Sequence, residues 1–106
     1  MEGTEDTLQL GGNIELSGFK ELDGATLIVV KKIVGNYARK FSETVQSFEK
    51  LKVTLKGVHK TEANQVNELH GQIIAAGKPT VAEETDRNLF FALDKVMKKL
   101  EAGISK

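Results

Sequence analysis

Thr85-Asp86-Arg87-Asn88-Leu89-Phe90-Phe91-Ala92-Leu93-Asp94-Lys95-Val96-Met97-Lys98-Lys99-Leu100-Glu101, residues 85–101, carries the clearest periodicity in the chain. Turned by about 100° per residue, Leu89, Phe90, Leu93, Val96, Met97, Leu100 and the following Ile104 fall on one side of a helix. That side is a core face. Arg87, Lys95, Lys98 and Lys99 gather on the other side with Phe91 among them, since spacings of three and four place side chains on a common surface. Asp86 is the expected N-cap, its short acceptor facing the free amides of the first turn, and Gly103 the expected terminator.

Upstream of this helix, Thr80 to Glu83 is expected as a short strand, set off by a tight turn at Gly77-Lys78-Pro79. Val66 to Ala76 alternates, with Leu69, Gly71, Ile73 and Ala75 toward a core and Glu68, His70 and Gln72 outward. Gly57 to Asn64 is expected as a loop. Phe48 to Val58 is a strand in which Leu51, Val53 and Leu55 alternate with Lys50, Lys52, Thr54 and Lys56, giving one wet face.

The segment from Asp23 to Ser42 contains Ala25-Thr26-Leu27-Ile28-Val29-Val30, β-branched enough to suggest a strand. Periodicity decides for a helix: Leu27, Val30, Val34, Tyr37 and Phe41 recur at helical spacing, with Ile33 beside them. Asp23 caps it, while Lys32, Asn36, Arg39 and Lys40 point outward. Ile28 and Val29 then lie off the buried face, as scattered surface residues or as a contact patch. Asn13 to Gly18 alternates as a first strand, and residues 1–12, with Gly11-Gly12, are expected as a flexible tail. The predicted fold is α+β in the order β-α-β-β-β-α, two helices on one face of a four-stranded, mainly antiparallel sheet. Its open face would carry Glu15, Ser17, Lys50, Lys52, Thr54, Lys56 and His70.

At 106 residues the chain is expected to form a single domain, residues 13–106. No apolar run suits a membrane span, and the acidic start, Met1-Glu2-Gly3-Thr4-Glu5-Asp6, is unlike a signal peptide, so a cytoplasmic protein is expected. There is no cysteine, hence no disulfide, no thiolate nucleophile and no zinc site of the usual kind. His59 and His70 are the only histidines, without a Cys or second carboxylate at metal-ligand spacing. Glu83, Glu84 and Asp86 form a carboxylate cluster of a kind that binds Mg²⁺ or Ca²⁺, yet such acids have an adequate role beside a helix N-terminus, and Gly11-Gly12 lacks the rest of a phosphate loop. No catalytic residues, metal or cofactor are expected. Fifteen basic and fifteen acidic residues cancel to a pI of about 6.7, unlike a typical nucleic-acid binder, although lysines cluster locally.

The run Ala82-Glu83-Glu84-Thr85-Asp86-Arg87-Asn88-Leu89-Phe90-Phe91-Ala92-Leu93-Asp94, continued by Lys98-Lys99-Leu100-Glu101, resembles the ribosome hibernation-promoting factors, also called ribosome-associated inhibitors or sigma-54 modulation proteins. It looks like that family's acidic strand end followed by an aromatic, alanine, an aliphatic, aspartate and a later lysine-leucine pair. Gly18-Phe19-Lys20 and the Val30, Val34, Tyr37, Phe41 ladder add to the likeness. The resemblance implies the same β-α-β-β-β-α fold and binding of the small ribosomal subunit and its RNA, in the channel for messenger and transfer RNA; a monomer is the expected state, with a weak homodimer as the alternative state. Lys99 falls on a basic position of the family motif, with Lys95 and Lys98 beside it. Arg87, Lys32, Arg39, Lys40, Lys50, Lys52 and Lys56 complete the expected RNA-binding set. The alternative is a protein-interaction or homodimeric module using Ile28-Val29 or an exposed sheet edge.

Overall fold

The computed structural model describes residues 7–10, 13–20, 22–60 and 65–104, side chains excepted at 57–60 and 65. The order is β1 (Thr7–Leu10), β2 (Ile14–Ser17), α1 (Gly24–Thr44), β3 (Phe48–Lys60), β4 (Gln65–Ala75), β5 (Lys78–Asp86) and α2 (Leu89–Ile104). The strands form one five-stranded sheet in the order β1-β2-β3-β4-β5. β2 and β3 are parallel. Every other neighbouring pair is antiparallel. The expected β-α-β-β-β-α order is contained in this α+β fold, but the sheet is mixed and has a fifth strand.

That fifth strand corrects the reading of residues 1–12 as a tail. Thr7–Leu10 pairs antiparallel with β2, Leu8 opposite Leu16 and Leu10 opposite Ile14. Leu8 and Leu10 pack on the core, so β1 gains apolar contacts as well as ladder hydrogen bonds. Residues 1–6 and 11–12 lie outside the described residues.

A crossover through α1 joins the parallel strands. Asp23 caps this helix as expected, its Oδ1 accepting a hydrogen bond from the Thr26 amide at 3.3 Å. Val30, Val34, Ala38 and Phe41 are fully or nearly buried, and Leu27, Ile33 and Tyr37 pack beside them. Burying a side chain such as Phe41 stabilises by about 1.5–3 kcal/mol. Gly18 makes the entry to this crossover possible. Its φ is +81°, and a Cβ there would sit 2.3 Å from the Leu55 carbonyl oxygen. Phe19 follows, wholly buried.

β3 carries the alternation read from its sequence. Leu51, Val53 and Leu55 are buried, and Lys50, Lys52 and Thr54 stand on the face away from the helices. Two register shifts interrupt its pairing with β4, between Phe48 and Lys50 and between Leu55 and Gly57. Lys56 has no partner in that register and drops out of the alternation. β3 then runs on to Lys60, so residues 57–60, expected as loop, are strand; residues 61–64 lie outside the described residues. A bulge shifts the period by one residue, which hides a strand from a pattern of period two.

The turn before β5 also differs from the reading. Ala75 pairs with Lys78, leaving Ala76 and Gly77 as a two-residue loop with φ of 53° and 76°. Positive φ at both central residues matches the right-handed twist of a hairpin. Lys78 and Pro79 belong to β5, an edge strand where proline's missing amide is tolerated. β5 runs to Asp86 rather than ending at Glu83.

α2 accordingly starts later than expected. Asn88, not Asp86, caps it: Asn88 Oδ1 accepts from the amides of Phe90 at 2.9 Å and Phe91 at 3.1 Å. Asp86, still in the strand, accepts from the Asn88 amide at 2.9 Å. The helix also continues past Gly103 to Ile104. Leu93, Val96, Met97 and Leu100 are wholly buried as predicted, and so is Ala92. Gly71 of β4 lies beneath them, where a Cβ would meet Val96 Cγ1 at 2.6 Å. No helix among the described residues is long and apolar enough to cross a membrane.

Candidate nucleic-acid interface

The residues expected to contact RNA divide between the two sides of the sheet. α1 and α2 cover the side that holds Leu51 and Val53, so Lys32, Arg39, Lys40, Lys95, Lys98 and Lys99 belong to the helical layer. Lys50 and Lys52 alternate with those core residues and belong to the open face. Arg87 lies in the bend between β5 and α2. One basic surface therefore does not take in the whole set.

Within the helical layer Lys95, Lys98 and Lys99 do share the outward side of α2, with Phe91 exposed among them. Each of these three ammonium groups meets a carboxylate. Lys95 Nζ is 2.8 Å from Asp86 Oδ2. Lys99 Nζ is 2.7 Å from Glu84 Oε2 and also donates to the Glu83 carbonyl at 3.2 Å. Lys98 Nζ is 3.3 Å from Asp94 Oδ2, one turn away. Lys40 of α1 reaches across to Glu101 Oε2 at 2.6 Å. On the open face Lys50 Nζ is 3.3 Å from Glu15 Oε1. By contrast Lys32, Arg39, Lys52, Lys56 and Arg87 have no ion-pair partner among the described residues.

Strand and helix dimensions explain the pairs at β5. Alternate residues of this edge strand, Thr80, Ala82, Glu84 and Asp86, turn toward α2. Two strand residues span about 6.8 Å. Four helix residues rise about 6.0 Å. Lys95 and Lys99 thus come opposite Asp86 and Glu84, and a Cβ at Gly103 would meet Thr80 Cγ2 at 2.9 Å. The hydrogen bond from Lys95 lowers the pKa of Asp86, and the one from Lys99 lowers that of Glu84. Asp86 in turn raises the pKa of Lys95. The Glu83, Glu84, Asp86 run is consequently not one carboxylate cluster: Glu83 faces the opposite side of β5.

Acids also separate the helices' cations. Tyr37 donates its hydroxyl hydrogen to Asp94 Oδ1 at 2.8 Å, joining α1 to α2. Desolvation and this hydrogen bond push the Tyr37 pKa up to about 12, while the bond from Tyr37 lowers that of Asp94. Lys40 of α1 meets the Glu101 carboxylate and Lys98 of α2 the Asp94 carboxylate. At the strand-to-helix junction, buried Asn67 donates from Nδ2 to the carbonyls of Asp86 at 3.1 Å and Arg87 at 3.0 Å, which fixes where the chain leaves the sheet.

The open face holds a grouping that linear spacing conceals. Glu68 and His70 are alternate residues of β4, and Glu83 is the register partner of His70 on β5. His70 Nε2 is 2.8 Å from Glu68 Oε2 and 3.3 Å from Glu83 Oε1. A cavity of about 500 Å³ beside it is lined by Lys52, Thr54, His70, Gln72, Val81 and Glu83. Only the hairpin brings Glu83 to this place, so the available sequence signal was the Glu-x-His pair alone. A scan against protein-family models found no match for this chain, and a search of curated proteins found none either.

Proposed function

We propose that the protein is a non-enzymatic RNA-binding domain that docks on the small ribosomal subunit and occupies the channel for messenger and transfer RNA, silencing or protecting idle ribosomes in the cytoplasm. The resemblance of residues 82–101 to the hibernation factors supplies the partner. The observation carrying the physical side is the grouping of Lys95, Lys98 and Lys99 on the outward surface of α2, with side chains 51%, 66% and 55% exposed. Ion pairs this exposed add little to stability, because water screens them. A polyanion that releases counterions competes with such carboxylates, and recognition through shape and phosphate needs few base-specific side chains. The neighbouring carboxylates oppose that binding, so affinity is expected to be modest and strongly dependent on salt.

A second reading is a small protein-interaction or homodimeric module. It is favoured by the pairing of the lysines and by Ile28 and Val29, which are adjacent on α1 and 65% and 39% exposed. Sedimentation of cell extract through a sucrose gradient separates the two. Co-migration with small subunits that disappears at high salt supports RNA docking; a salt-insensitive dimer free of ribosomes supports the module. Replacing Lys95, Lys98 and Lys99 together by Glu is expected to weaken RNA binding tenfold or more, about 1.4 kcal/mol. Unchanged affinity in a variant with native circular dichroism rejects this face as the site.

A further inference from the structure

The geometry points to a divalent transition-metal site on the open sheet face, formed by Glu68, His70 and Glu83. The three side chains offer one nitrogen and two carboxylate oxygens whose ligand atoms all lie within 4.8 Å of one another. Tetrahedral coordination with bonds of about 2.0–2.1 Å places ligand atoms about 3.3 Å apart. The Glu83–His70 separation of 3.3 Å already has that value, and the Glu68–His70 separation of 2.8 Å needs about half an ångström of opening. The third separation, between the two carboxylates, is at most 4.8 Å and needs closing by up to about 1.5 Å, a shift within reach of side-chain torsions.

The backbone makes the arrangement durable. Alternation in β4 places Glu68 and His70 on one face, and antiparallel register places Glu83 directly across from His70. The same Nε2 faces both carboxylates. It carries at most one hydrogen, so it cannot serve both oxygens together, whereas a dication attracts all three donors and balances two carboxylate charges. The imidazole nitrogen selects against Mg²⁺ and Ca²⁺, which prefer oxygen alone, and suits Zn²⁺ or another late first-row dication. Three protein ligands leave a coordination position for water or a small anion. Lys52 and Thr54 line the adjoining cavity. The site shares no side chain with the α2 lysines, so it stands or falls apart from RNA docking.

Isothermal titration of the full chain, stripped with a chelator, with Zn²⁺ in a non-coordinating buffer tests the site. The expected result is saturable binding of one equivalent, weakened about tenfold or more in both His70→Gln and Glu83→Gln, since even outer-shell partners are worth 10–100-fold. His70 is half-buried and Glu83 exposed, and native circular dichroism of each variant establishes that folding is intact. Absence of saturable binding in the wild type overturns the site. So does wild-type affinity in either His70→Gln or Glu83→Gln, because the metal would then be held elsewhere on the surface.

Discussion

Tyr37 is the only tyrosine in the chain, and its hydroxyl joins the two helices through Asp94. The helical ladder placed its ring correctly in the sequence, but its partner lies 57 positions away and no local pattern announces it. A raised phenol pKa means that the folded state favours the protonated form. The associated stability is fully present below the ordinary tyrosine value near 10, and it is lost as pH rises through about 12. Spectrophotometric titration is therefore expected to show phenolate forming near pH 12, with unfolding promoted across that interval. Tyr37→Phe should cost about 0.5–1.5 kcal/mol in urea denaturation, the net worth of a hydrogen bond. Gly18→Ala should cost more, at least about 2 kcal/mol, because it combines a left-handed backbone with a collision against a carbonyl that belongs to the sheet. Asp86 shows how a sound local rule goes astray: its acceptor has the right chemistry for a cap, but the strand has not yet ended there, and Asn88 takes the role.

At the scale of elements, the helices and the first half of β3 were legible because apolar residues mark their buried sides. β5 was legible only from Thr80 to Glu83 and not in its full length to Asp86, because its helix-facing side is written partly in charge. Glu84 and Asp86 turn inward against Lys99 and Lys95, where a periodicity search looks for leucine or valine. The same contact makes the RNA proposal directional. Glu84→Gln combined with Asp86→Asn releases two ammonium groups, so filter binding should show tighter RNA association and a steeper fall of affinity with salt. Acid should act on this contact as well. Glu84, Asp86 and Asp94 have lowered pKa values when folded, so their contribution is present above the ordinary carboxylate range and is lost as pH falls through their depressed values. Thermal melts should accordingly drop on acidification below about pH 4, where unfolded carboxylates begin to take up protons. In the β4–β5 hairpin, Ala76 occupies a left-handed conformation that suits asparagine better. Ala76→Asn should raise stability by about 0.5–1 kcal/mol in urea denaturation while leaving the hairpin register unchanged.

For the molecule as a whole, zero net charge conceals an arrangement rather than a uniform mixture. Cations and anions alternate across the helical layer, while the open sheet face combines Lys50 and Lys52 with Glu15, Glu68, His70 and Glu83. The candidate RNA surface was legible as a set of helix positions, but the sequence could not show which acids each lysine would meet, since those contacts depend on how β5 passes beneath α2. The metal candidate was concealed for the same reason, one ligand arriving across a hairpin. The short β1 has a further consequence. By pairing with β2 it occupies amides and carbonyls that would otherwise face solvent along the sheet margin. A version trimmed to start at residue 13 would retain both helices and the other four strands, yet present a bare β2 to any extended peptide. It should associate with itself as concentration rises in light scattering, so four residues outside the expected domain act as the chain's guard against unwanted company.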